Sequence, residues 1–296
     1  MRLRLLLSAV LLCGQPLSLS AEPAAEPDVF WLVSDFKPFM ILHGPQTGEG
    51  YLDRSQLLLQ QLLPGYQHRS VQGNVSRREQ IMQAGLHGKR QVCSATLFQT
   101  PKREGFAVFS RPYLSVLPSG IITLQRLAPR FAAYRDGSGN LQLARIIADR
   151  ALRMGVTRSR AYGGAVDKLL EPLAASEPNP AVVWRAGEDN SEGLYGMLQR
   201  GRIDFTLGFA VEELYLQRQQ AGQEPTVFLP LAENTGLLEV RFSCARTPWG
   251  EQAVAQVDAL LADPSLRARF QTFYEDWLGP ESLRLYRAKL AASLRP

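Results

Sequence analysis

Segment 160–164 holds the residues whose types and spacing most clearly suggest binding chemistry. Arg160, Tyr162 and Gly163 stand there directly before a predicted helix. The first N–H groups of a helix have no partner inside it, so they attract anions. The segment therefore predicts contact with an acidic group, and the alternative interpretation is an ordinary glycine-rich turn.

Patterns for catalysis and metal binding are weak in comparison. The chain has three histidines, and they lack the spacing of a set of metal ligands. No Ser-His-Asp, Cys-His or paired-carboxylate spacing stands out either. We therefore assign no catalytic residue, no metal and no cofactor from the sequence.

The N-terminus has the layout of a secretory signal peptide. Arg2 and Arg4 precede a leucine-rich run, and small and polar residues follow up to Ala21. Cleavage is expected after Ala21 or one residue earlier, so residues 1–21 form the predicted signal peptide. No other stretch approaches the roughly 20 apolar residues that span a bilayer, which predicts a soluble mature protein.

Composition favours a globular chain of two modest domains. The 296 residues are 45% hydrophobic and 21% charged, which is enough apolar material for a large core. Removal of residues 1–21 takes away two arginines and no acid, so the formal charge falls from +5 to +3. That charge is weak and its arginines are interleaved with acids, so we expect no binding to nucleic acid.

Hydrophobic periodicity predicts two α/β units in succession, with a boundary near residue 120. The first has predicted strands at 29–33, 91–97 and 106–109 and helices at 52–63 and 77–84. The second has predicted strands at 121–124, 181–184 and 203–207 and helices at 141–153, 162–170 and 192–200. One more strand at 237–242 precedes a helical C-terminus that must cover the first sheet. This alternation predicts a mostly parallel sheet flanked by helices in each unit.

Four short motifs in this order resemble those of the family 3 extracellular solute-binding proteins of bacteria. In chain order they are Phe36-Lys37-Pro38-Phe39, Gly50-Tyr51, Thr100-Pro101-Lys102-Arg103 with the Phe-Ser-Arg-Pro-Tyr block at 109–113, and Gly201-Arg202-Ile203-Asp204. A single such motif would be weak evidence, but four in the same order are fairly specific. The resemblance covers about residues 28–280.

The resemblance implies the α/β fold of the type II periplasmic binding proteins, with two lobes joined by a two-strand hinge. Lobe 1 would comprise residues 22–119 and 238–296, and lobe 2 residues 120–237. A small solute would bind between the lobes, where hinge closure buries it. It further implies a monomeric protein of the periplasm that serves an ABC permease of the inner membrane or a sensor, and the sequence leaves that choice open.

The resemblance also implies roles for single residues. Arg103 would grip a ligand carboxylate with its planar fork, and Thr96 would contact the same carboxylate. Phe36 would pack over the rest of the ligand. The alternatives are a surface arginine, a plain strand threonine and a core phenylalanine.

Two departures from the resemblance concern the ligand. Phe98 stands three residues before Pro101, where amino-acid binders usually have a second hydroxyl. Phe209 stands where they place an aspartate that neutralises the ligand ammonium. A buried amine without a carboxylate partner is costly. We therefore expect a small solute that carries a carboxylate but is not a standard α-amino acid.

Two cysteines, Cys93 and Cys244, remain after signal-peptide removal. An even number of cysteines in an exported chain permits a disulfide. The resemblance places the strand that returns from lobe 2 beside the third strand of lobe 1, which is compatible with a Cys93–Cys244 bond. The alternative is a pair of buried free thiols.

Two further functions stay open on the same fold. Cyclohexadienyl dehydratases share it, and a carboxyl group near the cleft could then serve as a general acid. The candidates for that role are Glu49, Glu188, Asp189 and Glu212. The altered positions Phe98 and Phe209 also allow an interaction module that has lost its solute.

Overall fold

The computed structural model describes residues 27–88, 90–158, 160–176, 179–186, 190–219 and 222–293. The predicted signal peptide at 1–21 lies outside these residues, as do Glu188 and Asp189. Among the described residues, no helix combines the length and the apolar character needed to cross a bilayer.

Strands and helices alternate along most of the described chain. The strands are β1 (Asp28–Val33), β2 (Gln67–Gln72), β3 (Gln91–Ser94), β4 (Ala107–Val116), β5 (Gly120–Leu124), β6 (Met154–Thr157), β7 (Val182–Arg185), β8 (Phe205–Gly208), β9 (Thr226–Pro230) and β10 (Leu238–Ala245). The α-helices are α1 (Tyr51–Gln61), α2 (Val75–Gly85), α3 (Pro101–Glu104), α4 (Leu143–Asp149), α5 (Gly164–Ala175), α6 (Asn190–Gln199), α7 (Ala210–Gln219), α8 (Pro248–Leu260), α9 (Pro264–Glu275) and α10 (Pro280–Ser293). A 3₁₀ helix (Gln125–Tyr134) follows β5.

The strands form two separate five-stranded sheets, and each sheet with its helices is one lobe. The sheet of lobe 1 has the order β2-β1-β3-β10-β4, and that of lobe 2 has the order β7-β6-β8-β5-β9. In lobe 1, β1 is parallel to β2 and β3, while β10 runs antiparallel to β3 and β4. Lobe 2 repeats this arrangement, with β5 antiparallel to β8 and β9. The predicted fold class is confirmed, although the sheets are mixed.

Two segments connect the two sheets. The chain leaves lobe 1 through residues 117–119 and returns through residues 231–237. Asn234 of the second segment donates from Nδ2 to the hydroxyl of Ser119 in the first, at 3.0 Å. Tyr274 of α9 accepts a hydrogen bond from Leu117 N through its own hydroxyl oxygen, at 2.9 Å. The two segments are therefore held beside each other and against lobe 1.

The C-terminal helices cover one face of the sheet of lobe 1, whose apolar residues would otherwise be exposed to water. Helices α8 and α9 pack against β4, and α8 also contacts β3 and β10. Tyr113 of β4 packs on Phe270 of α9 with their ring centroids 4.7 Å apart. Thr247 caps α8 by accepting a hydrogen bond from Gly250 N at 3.0 Å.

A disulfide joins β3 and β10. Cys93 and Cys244 are directly opposite residues of this antiparallel pair, and their Cα atoms are 4.0 Å apart. The predicted Cys93–Cys244 bond is therefore confirmed, and the free-thiol alternative is wrong. Disulfides persist in oxidising compartments, so this bond is typical of an exported protein.

Candidate functional site

Four of the residues singled out in the sequence meet between the lobes, around the Arg160 guanidinium. Its central carbon lies 4.8 Å from the ring centroid of Phe36, 5.2 Å from that of Tyr162 and 5.2 Å from that of Phe209. Phe36 belongs to lobe 1, whereas the other three residues belong to lobe 2. Rings of both lobes thus enclose one cation, in the geometry of cation–π interactions.

The loop between β1 and α1 carries Phe36 to this position. Phe36 and Met40 exchange two backbone hydrogen bonds of 3.0 Å, which fold the loop back on itself. Asp53 in the first turn of α1 then accepts from Ile41 N at 2.7 Å and from Gly50 N at 3.1 Å. Burial raises the pKa of Asp53 to about 6, although these two hydrogen bonds lower it.

Arg160 has an internal partner, Glu212 in the first turn of α7. Nη1 donates to Oε1 at 2.9 Å and Nη2 donates to Oε2 at 2.6 Å, which is a bidentate ion pair. The two side chains are only 10% and 2% exposed. Burial by itself lowers the pKa of Arg160, but Glu212 and Tyr162 raise it above the ordinary value of an arginine. The charge of Arg160 is therefore cancelled inside the protein.

Glu212 has a full set of hydrogen bonds. Besides Arg160, its Oε1 accepts from the hydroxyl of Ser191 at 2.7 Å, and its Oε2 accepts from Phe209 N at 2.8 Å. Both carboxylate oxygens therefore accept two hydrogen bonds each, which hold Glu212 in place as the ion-pair partner of Arg160. The sequence motifs gave no signal for the pair, because Arg160 and Glu212 are 52 residues apart.

An aromatic contact continues from this cluster across the lobes. Phe209 meets Phe39 of lobe 1 edge to face, with ring centroids 5.4 Å apart. Phe36 stacks on Phe39 with ring centroids 4.7 Å apart, and Phe36 remains 37% exposed. Phe209, which the resemblance places where amino-acid binders have an aspartate, therefore packs against the ring of Phe39 in lobe 1.

The backbone N–H groups of Tyr162 and Gly163, which were predicted to contact an anion, are hydrogen-bonded within the protein. Asp167 in the first turn of α5 accepts from Tyr162 N at 2.8 Å and from Gly163 N at 3.3 Å. The Tyr162 hydroxyl accepts from Thr157 N at 3.0 Å. Gly163 has a φ of +117°, and a Cβ there would lie 2.7 Å from the side chain of Asn234, so glycine is required. In this structure, the helix N-terminus binds an acid of its own chain.

Arg103 likewise points to an internal acid. It lies on α3, whose cap Thr100 accepts from Arg103 N at 3.3 Å. Arg103 Nε donates to Glu79 Oε1 at 2.8 Å, and Nη1 donates to the carbonyl of Phe98 at 2.9 Å. Lys102 also contacts Glu79, at 3.1 Å. Burial raises the pKa of Glu79, but hydrogen bonds from Arg103 and Lys102 bring it below the ordinary value.

Thr96 binds a residue that sequence reasoning overlooked. Arg78 of α2 donates from Nη1 to the Thr96 hydroxyl at 2.7 Å, and the hydroxyl of Ser94 is 3.3 Å from that of Thr96. In the sequence Arg78 is one of many arginines interleaved with acids, whereas in the structure it is partly buried. Burial and the nearby Arg103 lower the pKa of Arg78, although Glu79 acts in the opposite direction. The polar pattern of α2 carries no signal that would distinguish Arg78 from its exposed neighbour Arg77.

A cavity of about 370 Å³ lies between the lobes. Its lining from lobe 1 comes from the loop that carries Phe36, and its lining from lobe 2 comes from α6 and α7. The main residues are Lys37, Ile41, His43, Gln46, Glu192, Tyr215 and Gln219. Gln219 of α7 donates from Nε2 to Gln46 Oε1 at 2.8 Å, which links the two sides. Among the described residues, no cluster of His, Cys, Asp and Glu side chains has the arrangement of a metal site.

Comparisons with known proteins identify the fold. No family model and no curated protein matches the sequence. Solved structures do match, and one is an ancestral cationic amino acid solute-binding protein that is 17% identical, with a TM-score of 0.57 over 86% of this chain and 96% of that one. A probable amino-acid ABC transporter extracellular-binding protein from Bacillus subtilis is 15% identical, with a TM-score of 0.57 over 86% of this chain and 99% of that one.

A third similar structure is a histidine kinase sensor domain with similarity to periplasmic binding proteins. It is 14% identical, with a TM-score of 0.55 over 86% of this chain and 96% of that one. The chain therefore has the two-lobed fold of the type II periplasmic binding proteins. This fold occurs both in binding proteins of ABC transporters and in sensor domains.

Proposed function

We propose that this chain is an exported solute-binding protein of the periplasm. It closes two lobes around a small acidic solute and presents the closed form to an ABC permease or a sensor in the inner membrane. The observation that carries the proposal is the cluster at the lobe interface, where Phe36 of lobe 1 packs over Arg160 of lobe 2. Such a contact requires the lobes to meet, so anything bound between them changes how they close.

The space between the lobes fits this function. The interlobe cavity of about 370 Å³ is within the range of pockets that bury small ligands, about 300–1,000 Å³. Its lining mixes apolar, aromatic and charged groups, which suits a small organic acid better than a purely apolar ligand. Phe36 does not line this cavity, but it precedes the lining residue Lys37 and is 37% exposed, so its ring is available for a ligand to pack against.

The test is a solute screen on the chain from Glu22 onward. We expect a small carboxylic acid to co-purify with it or to raise its Tm, because a ligand that binds only the folded form stabilises that form. Phe36→Ala should lower the affinity for that solute at least tenfold. Leu57→Ala is the matched control, because Leu57 is an exposed apolar residue of α1 at 57% exposure. Equal affinity in the two variants would contradict the assignment of Phe36.

An interaction module is the second candidate, and one observation favours it. The Arg160–Glu212 pair and the ring of Phe209 fill the centre of the cleft with side chains of the chain itself. A module of this kind would bind none of the screened acids, and small-angle X-ray scattering would give the closed dimensions in every condition. A solute-binding protein would instead change its radius of gyration when its solute is added.

A dehydratase is less well supported. Glu49 is exposed and Glu212 is held in the ion pair with Arg160. The remaining candidates for a general acid, Glu188 and Asp189, lie outside the described residues. The ancestral protein of one similar structure is described as a precursor of cyclohexadienyl dehydratase, but it is itself an amino-acid-binding protein.

A further inference from the structure

Arg78 is a partly buried cation whose charge has no ion-pair partner among the residues that the structure describes. Its Nη1 donates to the Thr96 hydroxyl at 2.7 Å, and its buried Nε has no hydrogen-bond partner. Removing a guanidinium from water without a compensating anion is costly. Such a group is a favourable site for an anion from outside the chain.

The neighbouring acid is already committed. Glu79 Oε1 lies 2.7 Å from Arg103 Nη2, and Glu79 Oε2 lies 3.1 Å from Lys102 Nζ. The Arg103 and Glu79 side chains are each 16% exposed, so they form a partly buried neutral pair. The Lys102 side chain is 74% exposed, so water screens its charge. The one positive charge left over in the partly buried part of this cluster is that of Arg78.

The position of Arg78 suits a ligand. Ser94 ends β3 and Thr96 follows it, so their hydroxyls stand just beyond the carboxyl end of a strand that is parallel to β1. Ligands of open α/β sheets bind in the crevice outside the carboxyl ends of such strands. Arg78 in the first turns of α2 brings its guanidinium to the same edge, where Thr96 holds it in place.

We infer that Arg78, rather than Arg103, is the arginine that grips the acidic group of the solute, with the hydroxyls of Thr96 and Ser94 as supporting contacts. The inference rests on the proposed function and makes it more specific. A single excess positive charge matches one carboxylate, because a guanidinium can donate two parallel hydrogen bonds to its two oxygens. Arg103 then serves to fix Glu79 and the loop at Phe98.

The first part of the test needs no ligand. Arg78→Gln and Arg103→Gln are compared with the wild type by thermal unfolding in a buffer whose only anion is chloride. Arg78→Gln removes an unbalanced charge, so its Tm should stay the same or rise by about 3 °C. Arg103→Gln breaks an ion pair and leaves Glu79 without its main partner, so its Tm should fall. A fall in Tm for Arg78→Gln as large as that for Arg103→Gln would overturn the inference.

The second part uses benzoate, with the uncharged benzamide as the control ligand, in titrations up to tens of millimolar. Benzoate should raise the Tm of the wild type and benzamide should not. Arg78→Gln should lower the affinity for benzoate at least tenfold, and Arg103→Gln should lower it by less. Arg77→Gln, at an exposed position of the same helix as Arg78, should bind benzoate like the wild type.

The outcomes of the titration separate the two proposals. Benzoate binding that survives Arg78→Gln and is lost in Arg103→Gln would overturn the role of Arg78 and leave the solute-binding function intact. If neither benzoate nor any acid of the solute screen binds the wild type, the proposed function fails together with this inference.

Discussion

Arg160 and Arg78 are two partly buried arginines near the cleft, one in each lobe, with opposite electrostatic surroundings. Arg160 has a bidentate carboxylate partner and three aromatic rings around it. Arg78 has one hydroxyl partner, and the charged groups that act on it are Arg103 and Glu79, which is itself paired with Arg103 and Lys102. The two residues are both arginines, so the residue type alone does not determine which of them has charge available to bind an anion. The deciding factor is whether another element of the protein already supplies a carboxylate partner, as α7 does for Arg160 through Glu212.

The largest expected effect on stability concerns the disulfide of β3, the strand that α2 with Arg78 packs against. Cys93 and Cys244 are 151 residues apart, and closing so long a loop stabilises a protein by roughly 4–5 kcal/mol in the chain-entropy model. The variant Cys93→Ala/Cys244→Ala should lose about that much free energy of unfolding in a urea titration. A reductant should lower the stability of the wild type and leave that of the variant unchanged. Two free thiols in the unreduced, unfolded chain from Glu22 onward would contradict the bond.

The next effect tests lobe 2 directly through Glu212. Glu212→Gln leaves the Arg160 guanidinium buried without its counter-ion, and breaking one partner of a buried pair costs about 3–4 kcal/mol. Urea unfolding of the variant measures this loss. The double variant Arg160→Met/Glu212→Leu removes both charges and should recover most of the stability. A loss below about 1 kcal/mol in Glu212→Gln would mean that the pair is more solvated than its 2% exposed Glu212 indicates.

The sequence predicted the scaffold better than the site, for physical reasons. Strands such as β1 and β8 are apolar because both faces of the sheet are buried, so composition reveals them. Strand β2 was missed because it is a polar edge strand that buries none of its residues completely. The predicted site residues Phe36, Arg160, Tyr162 and Phe209 do meet in space. The acidic partners of Arg160 and Arg103 could not be predicted, because Glu212 and Glu79 reach them from other helices.

The smallest expected effect concerns Glu213, which follows Glu212 on α7 but has no cation partner among the described residues. The Thr226 hydroxyl donates to its Oε1 at 3.0 Å, and Glu281 of α10 is the nearby charged group. Burial, with a lesser contribution from Glu281, raises the pKa of Glu213 to about 7, although the hydrogen bond from Thr226 lowers it. Folding therefore favours the protonated form, whereas the unfolded chain ionises near its ordinary pKa of 4.5.

This stabilising contribution is complete below about pH 4.5 and is lost as the pH rises through about 7. The wild type should thus lose about 2 kcal/mol of unfolding free energy between pH 5 and pH 8 because of Glu213. Glu213→Gln should lack most of this slope, while Asp53, whose pKa is raised to about 6, leaves a smaller slope of the same sign. Urea titrations at the two pH values measure it. Equal slopes in the two proteins would mean that Glu213 is ionised in the folded state.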